Sequence, residues 1–342
     1  KNRLDDCFPY LEYASNKGHK KAHMLLAKFK KYNEKMSLYK KAADKGDIGA
    51  IYNYGYLLKD RQESARYVKI AADNGCTIAM TSYGKMLRLG DGVPADSNEA
   101  VKYYKMAIEK GNVYGMTCYA HMLKYGDGIP ANPSEAAKYY KMAIEKGDTT
   151  AMNNYGHMLK NGIGVEKNYE EAIKYYKMAI EKGDPAAMNN YGFMLYTGTG
   201  VEKNFEEAIK YFKMSIEGGY PEAMHTYADM LIKGIGVEKN IQEAIKYLKM
   251  AIDNGLAKSM NTYALLLKQG NGVSVNYHEA AKYYKMAIEK GNPLAMNDLG
   301  MMYLTGIGVE VNYDEAAKYF KMAIKNGVVE SMVLYAKMLE KG

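Results

Sequence analysis

A glycine-rich motif is the first pattern in this sequence that could carry chemistry. Gly-x-Gly followed by Val or Ile recurs seven times, for example at residues 162–165. A loop that cradles a phosphate through its backbone amides would need a preceding strand and a third glycine. Neither accompanies the motif, because the residues on both sides of it follow a helical pattern. We therefore predict that the motif forms a turn between two helices.

Titratable and nucleophilic side chains are the second place to look for chemistry. His121 and His157 lie 36 residues apart in equivalent positions, but a zinc ion would need more ligands than these two. Cys118 as a nucleophile would need a base held beside it. Glu170 and Glu171 could act as paired carboxylates, yet equivalents recur in other repeats, where they suit a helix start. We expect no catalytic residue, no metal site and no cofactor, and hence no enzyme.

Composition and charge narrow the class of protein. The chain has 342 residues, of which 48% are hydrophobic and 25% charged, as in folded globular proteins. The net charge is +8, but only four of the 47 basic residues are Arg, the residue that nucleic-acid binders use for bidentate contacts. No apolar run approaches the ~18 residues that a membrane span needs. Three cysteines cannot form a complete disulfide framework, which favours a reducing compartment and a cytoplasmic location.

Internal repetition organises the whole chain. Lys-Met-Ala-Ile recurs with a period of 36 residues, which is typical of solenoid proteins. With Ala79 as position 1, seven full repeats occupy residues 79–330, and residues 331–342 form the first helix of a truncated eighth. Residues 22–78 form two short repeats without the Gly-x-Gly loop, and residues 1–21 a partial unit. The full repeats begin at Ala79, Gly115, Ala151, Ala187, Ala223, Ser259 and Ala295.

Each full repeat encodes two helices. Apolar and small residues at positions 1, 2, 5, 6, 8 and 9 form a helical stripe, which the glycines of the loop then interrupt. The second helix begins after Asn or Asp with Glu three residues later, a signature of a capped helix start. A glycine ends it, as a C′ glycine does. Since one helix pair cannot bury both of its sides, neighbouring pairs must stack.

These repeats resemble the Sel1-like repeat, a relative of the tetratricopeptide repeat. The resemblance rests on Ala-Met-x-x-Tyr-Gly-x-Met-Leu-x-x-Gly-x-Gly-Val followed by Glu-Ala-x-Lys-Tyr-Tyr-Lys-Met-Ala-Ile-x-x-Gly, and it covers about residues 11–342. It implies an all-α fold, an α/α superhelix (a right-handed solenoid) of stacked helix-turn-helix repeats whose first helices line the concave side. It also implies a scaffold or adaptor role, often inside larger assemblies.

Variation between the repeats points to a binding face. Positions 3, 7 and 10 share one face of the first helix, and positions 7 and 10 change from basic residues to largely apolar ones along the chain. We hypothesise that this face binds an extended protein segment. The polar residues at position 3 would hold the backbone of the segment, the basic end would bind its acidic side chains, and the apolar end would bind its hydrophobic anchors. The candidate residues are Lys85, Arg88, His121, Lys124, Asn153, His157, Lys160, Asn189, Phe193, Tyr196, Ile232, Asn261, Leu265, Asn297, Met301 and Leu304.

The sequence leaves other interpretations open. The variation could be neutral drift on a solvent-exposed face. The chain could be a structural rod on a cytoskeletal filament such as a microtubule, because strict register and many lysines would suit a periodic acidic track. It could also be a regulatory array attached to a catalytic domain outside this segment. The leading prediction is a non-enzymatic scaffold within a larger chain or assembly, with protein partners and neither a small-molecule substrate nor nucleic acid as its ligand.

Overall fold

The computed structural model describes residues 8–17 and 19–340, and within these residues it contains nineteen helices and no strand. The predicted all-α class is therefore confirmed. The chain divides into two compact units, unit 1 at Lys1–Lys167 and unit 2 at Asn168–Gly342. Within each unit, consecutive helices pack in pairs, and successive pairs stack as in a solenoid.

The helices of full repeats are uniform in length, at 13 residues each. Unit 1 contains α1 (Phe8–Asn16), α2 (Lys20–Ala43), α3 (Ile48–Leu57), α4 (Arg61–Asp73), α5 (Thr77–Leu89), α6 (Ser97–Glu109), α7 (Val113–Tyr125), α8 (Pro133–Glu145) and α9 (Thr149–Asn161). Unit 2 contains α10 (Tyr169–Glu181), α11 (Pro185–Thr197), α12 (Phe205–Glu217), α13 (Pro221–Lys233), α14 (Ile241–Asp253), α15 (Ala257–Gln269), α16 (Tyr277–Glu289), α17 (Pro293–Thr305), α18 (Tyr313–Lys325) and α19 (Val329–Glu340).

The first short repeat differs from the full ones. Where a full repeat has two helices, residues 22–49 contribute the continuous helix α2, which is 24 residues long. No glycine or proline occurs between Lys20 and Ala43, so nothing in that stretch interrupts the helix. The second short repeat keeps a helix pair, α3 and α4, joined by a brief turn.

The caps predicted from the sequence are present. At the start of each second helix of the full repeats, the Asn or Asp side chain accepts a hydrogen bond from the backbone amide three residues later, at 2.9–3.1 Å. In a full capping box the Glu side chain also accepts from the backbone amide of the cap residue. Here the Glu135 carboxylate accepts instead from the side-chain amide of Asn132, at 3.0 Å. Each first helix of these repeats ends at a glycine with φ between 68° and 74°.

Tyrosines at position 5 link neighbouring repeats. In unit 1 the ring of Tyr119 packs edge-to-face against Tyr139 of its own repeat, with centroids 4.9 Å apart. The ammonium of Lys105, from the preceding repeat, lies 5.3 Å from the Tyr119 centroid. Unit 2 repeats the arrangement, with Lys213 5.4 Å from the ring of Tyr227. The lysine at this position of the repeat therefore contributes a cation–π contact between repeats.

Candidate functional site

The candidate face consists of positions 3, 7 and 10 of the first helices. These positions are spaced four and three residues apart, so their side chains follow one stripe of the helix. The stripe occurs on α5, α7 and α9 in unit 1 and on α11, α13, α15 and α17 in unit 2. Positions 5, 6, 8 and 9 of these helices are buried in the core, with few exceptions, whereas most side chains at positions 3, 7 and 10 are at least partly exposed. The buried exceptions in the stripe are Thr81, Thr117 and Lys124.

The basic end lies in unit 1, and part of its charge is compensated within the chain. Lys85 and His121 are exposed. Arg88, by contrast, donates from Nη1 to Asp127 Oδ2 at 2.5 Å, which forms an ion pair across two repeats. Asp127 is absent from the sequence-based set, because 39 residues separate it from its partner.

Lys124 is the most unusual member of the set. Only 5% of its surface is exposed, although the sequence placed it on an open basic face. Its Nζ donates to His157 Nδ1 at 3.2 Å and lies 4.6 Å from the centroid of the Tyr125 ring. Lys124 is therefore a buried cation held by a neutral imidazole and an aromatic face.

The two histidines of the basic end are neutral at pH 7. Burial, followed by the charges of Lys124 and Lys160, lowers the pKa of His157 to about 4. Partial desolvation of the ring also lowers the pKa of His121, and the Arg88 and Lys124 charges act in the same direction. The His121 ring packs on Tyr125 with centroids 4.6 Å apart, whereas the nitrogens of His157 face Lys124 and Asn161.

The apolar end lies in unit 2. Phe193 is the most accessible of its residues, at 43% exposure, and its ring lies 6.0 Å from that of Tyr196. The two charges that interrupt this region have partners, since Asp229 pairs with Lys233 at 3.4 Å and Lys268 with Asp298 at 3.3 Å. The remaining apolar members are partly exposed, namely Tyr196, Ile232, Leu265, Met301 and Leu304.

The polar ladder at position 3 is half-buried and interacts with the stack itself. Asn297 Oδ1 accepts from the hydroxyl of Ser331, position 1 of the following repeat, at 2.7 Å. His225 Nδ1 makes the equivalent contact with Ser259 at 3.0 Å. Asn189 and Asn261 are each followed by a repeat that begins with alanine, which offers no hydroxyl donor. This leaves the buried Oδ1 atoms of these two ladder residues without a hydrogen-bond partner.

The remaining predicted residues, Asn153 and Lys160, are half-buried on α9. Sequence reasoning also missed a correlation inside the repeats: position 10 is basic wherever position 26, on the second helix, is tyrosine. Where position 10 is not basic, position 26 is Phe or Leu. The basic pairs are Arg88/Tyr104, Lys124/Tyr140, Lys160/Tyr176 and Lys268/Tyr284, and the others are Tyr196/Phe212, Ile232/Leu248 and Leu304/Phe320.

Acid is expected to destabilise unit 2 through His225. Burial lowers its pKa to about 4, with Lys258 the next cause, whereas an unfolded histidine titrates near 6.5. Between these values the unfolded state binds more protons, so stability falls as the pH drops from about 6.5 towards 4. His225→Asn introduces at this position the residue type that Asn189 and Asn261 provide in other repeats. In urea unfolding, this variant should lose less stability than the wild type between pH 7 and pH 5. An equal loss in both proteins would contradict this assignment.

Two further features concern possible ligands. Among residues 8–17 and 19–340, no group of three or more His, Cys, Asp or Glu side chains could hold a metal ion. In the same part of the chain, every helix is too short or too polar to cross a membrane.

Comparison with known proteins defines the class as a helical repeat protein. The Sel1 repeat family model matches nine segments, which together cover most of the chain. They are residues 36–47, 48–76, 77–112, 114–148, 149–184, 185–220, 221–256, 257–292 and 293–328. The chain therefore belongs to the Sel1 repeat family. No curated protein matches it.

Solved structures show the same fold. A Sel1 repeat protein from Oxalobacter formigenes has a TM-score of 0.59 and 24% identity, covering 89% of this chain and 90% of its own. The protein c5321, a protective antigen of uropathogenic Escherichia coli with an SLR fold, has a TM-score of 0.50 and 25% identity, covering 98% and 83%. Yeast Tom70 has a TM-score of 0.53 at 16% identity, and the match covers 98% of this chain and 77% of Tom70. The fold class and the family resemblance are thus confirmed.

Proposed function

We propose that this protein is a non-catalytic scaffold that binds protein segments on its first helices. Sel1 repeat proteins are typically interaction scaffolds of this kind. Two regions carry the proposal, one in each unit. The cationic region of unit 1 consists of Lys85, Arg88, Lys124 and Lys160, together with the neutral histidines His121 and His157. The apolar region of unit 2 consists of Phe193, Tyr196, Ile232, Leu265, Met301 and Leu304.

The accessibility of the apolar region is the observation that supports the proposal most directly. The six positions of α11, α13, α15 and α17 in this region carry apolar side chains in register. Phe193 is exposed and the other five are partly exposed, while the neighbouring core positions are buried. Exposed apolar residues scattered singly need no explanation, but a contiguous set of them marks interaction surfaces. Aromatic anchors such as Phe193 commonly contribute most of the binding energy. A partner segment with apolar side chains fits this region.

The cationic region favours partners with acidic side chains. Lys85 and His121 provide its accessible edge, and complementary charge mainly speeds encounter and selects the partner. Sites built from such side chains can bind peptides without any chemistry of their own, so we propose that the chain requires no cofactor.

A display selection tests the apolar region. Random peptides are selected on the full chain, and the affinity of the most enriched peptide is measured by fluorescence anisotropy. Phe193→Ser should weaken its binding by about tenfold or more, because it removes an aromatic anchor. Tyr313→Ser is the matched control, since Tyr313 is an exposed aromatic residue, at 62%, on the second helix α18. Equal losses from both substitutions would contradict the proposal.

A further inference from the structure

Lys124 is a buried cation that has no anion. Its contacts are the His157 imidazole and the Tyr125 ring, and within the part of the chain that the structure describes no carboxylate lies within ion-pair distance of it. An ammonium group has three N–H donors, and a charge buried without a counter-ion is strongly disfavoured. The residue therefore retains donor capacity that the chain does not satisfy.

Two equivalent cations in other repeats have counter-ions. Arg88, at position 10 of the preceding repeat, pairs with Asp127 at 2.5 Å. Lys268, at position 10 in unit 2, pairs with Asp298 at 3.3 Å. In both pairs the carboxylate belongs to the following repeat, at position 13 in the first and at position 4 in the second. The fold thus offers two places from which a carboxylate can reach the cation of position 10.

In the repeat that follows Lys124, the residues at both of these positions are uncharged. Position 13 of the following repeat is Ile163, and position 4 is Asn154. The repeat thus keeps the cation and lacks the anion. The chain itself serves as the comparison, since the same scaffold compensates the charge in one repeat and leaves it uncompensated in the next.

The imidazole beside Lys124 can accept only one of the three N–H donors of its ammonium group. His157 Nδ1 faces Lys124 Nζ at 3.2 Å, and His157 Nε2 faces Asn161 Nδ2, also at 3.2 Å. A neutral imidazole accepts a hydrogen bond at only one of its two nitrogens. Asn161 Nδ2 also donates to the backbone carbonyl of His157, at 2.8 Å, so the ring can accept from Lys124 at Nδ1. The two other N–H donors of Lys124 have no acceptor in the described part of the chain, and an oxygen ligand can accept from them.

We propose that Lys124 is the centre of a carboxylate-binding site, and that an Asp or Glu side chain of the partner segment supplies the missing anion. This inference rests on the proposed scaffold function and specifies the chemistry of its cationic region. The carboxylate takes the place that Asp127 holds beside Arg88. Exposed Lys85 and His121 lie at the edge of the same region and admit the acidic segment.

The pKa values of His157 and His121 should report the binding of a carboxylate at Lys124. The charges that lower the pKa of His157 are those of Lys124 and Lys160, and His121 is affected by Arg88, Lys124 and Asp127. A bound carboxylate offsets the Lys124 charge, so it raises the pKa of both imidazoles. Proton NMR titration of the histidines, with and without ligand, measures this change.

The binding experiment uses the full chain and an acetylated, amidated hexaglutamate peptide as the probe, followed by titration calorimetry. Lys124→Met should weaken binding about tenfold, because it removes a charge-assisted hydrogen bond while keeping the volume of the side chain. Ile163→Asp should weaken it similarly, because it supplies an internal carboxylate at the position of Asp127. The matched control is Lys138→Met, an exposed lysine on the second helix α8, which should bind as the wild type does.

Three results would overturn the inference. The first is unchanged hexaglutamate binding in Lys124→Met and Ile163→Asp, both checked for folding by circular dichroism. The second is equal binding of a hexaglutamine peptide. The third is full displacement of the probe by equimolar inorganic phosphate, which would indicate a general anion site. None of these results affects the Phe193 experiment in unit 2, so failure of the carboxylate site and failure of the scaffold function remain distinguishable.

Discussion

Replacing Gly164 with alanine should lower the free energy of unfolding by about 3–5 kcal/mol, close to the largest effects that single substitutions produce. Gly164 has φ +69°, a conformation that costs an L-residue about 1 kcal/mol. A Cβ at this position would also lie 2.5 Å from Pro133 Cβ and 2.7 Å from Pro133 O. Because Pro133 begins α8 of the preceding repeat, neither atom can move without shifting a helix.

Gly162, two residues earlier, is the matched control. It has the same φ of +69°, but a Cβ there would meet its nearest neighbour, Lys167 Cβ, at 3.4 Å. Gly162→Ala should therefore cost only about 1 kcal/mol, the penalty of the backbone conformation. Urea unfolding of both variants in the full chain, followed by circular dichroism, separates backbone strain from the clash between repeats. Equal losses would show that the close approach to Pro133 does not constrain the stack.

The same reasoning explains why the loop carries two glycines. The first ends the helix in the left-handed conformation, and the second allows the loop to approach the start of the preceding second helix. In unit 2, a Cβ on Gly236 would lie 2.5 Å from Phe205 Cβ, which is the equivalent contact. The motif that could be mistaken for a phosphate-binding loop thus serves the packing of one repeat on the next.

Local signals in the sequence were sufficient to predict the repeats. The Asn168 cap and its partner Glu171 are three residues apart, so the pattern and the bond at 2.9 Å fall within one helical turn. Helix period, cap and terminal glycine all act over a few residues. Their recurrence at a fixed period then requires stacking, because a single pair leaves apolar surface exposed.

The chemistry of the candidate face was harder to predict, because it depends on contacts between repeats. The ion pair of Arg88 and Asp127 joins residues 39 apart, and no local pattern indicates that distance. The burial of Lys124 likewise follows from packing against the next repeat, where His157 lies. One signal was available in the sequence, namely the correlation between positions 10 and 26, which links the face to the core beneath it.

That correlation leads to the second prediction. Tyr140, Tyr176 and Tyr284 occupy position 26, where their side chains are fully buried and their hydroxyls have no hydrogen-bond partner. Other repeats place Phe212 and Phe320 at this position, equally buried. Removing an unsatisfied buried hydroxyl while keeping the ring should stabilise the protein by about 1 kcal/mol per site. Because none of the three hydroxyls has a hydrogen-bond partner that the others could share, we expect the effects to add, so the triple Tyr→Phe variant should gain about 3 kcal/mol.

Tyr103→Phe is the control, because the hydroxyl of Tyr103 donates to Asp73 Oδ1 at 2.7 Å. Its removal should cost about 1 kcal/mol, so the two kinds of Tyr→Phe substitution should change the urea midpoint in opposite directions. A loss of stability in Tyr176→Phe comparable to that in Tyr103→Phe would mean that its hydroxyl has a partner.

Alkaline pH provides an independent measurement of the same hydroxyls. Burial raises the pKa of Tyr140, Tyr176 and Tyr284 above the value of about 10 for an unfolded tyrosine. Above that pH the unfolded state releases these protons first, so the folded state binds more of them and stability falls as the pH rises. Below about pH 10 these hydroxyls are neutral in both the folded and the unfolded state, so their ionisation does not lower the stability of the wild type. The triple variant has no hydroxyl to ionise at these positions, so its advantage over the wild type should widen between pH 9 and pH 11, and a constant difference would contradict the burial of these groups in the neutral form.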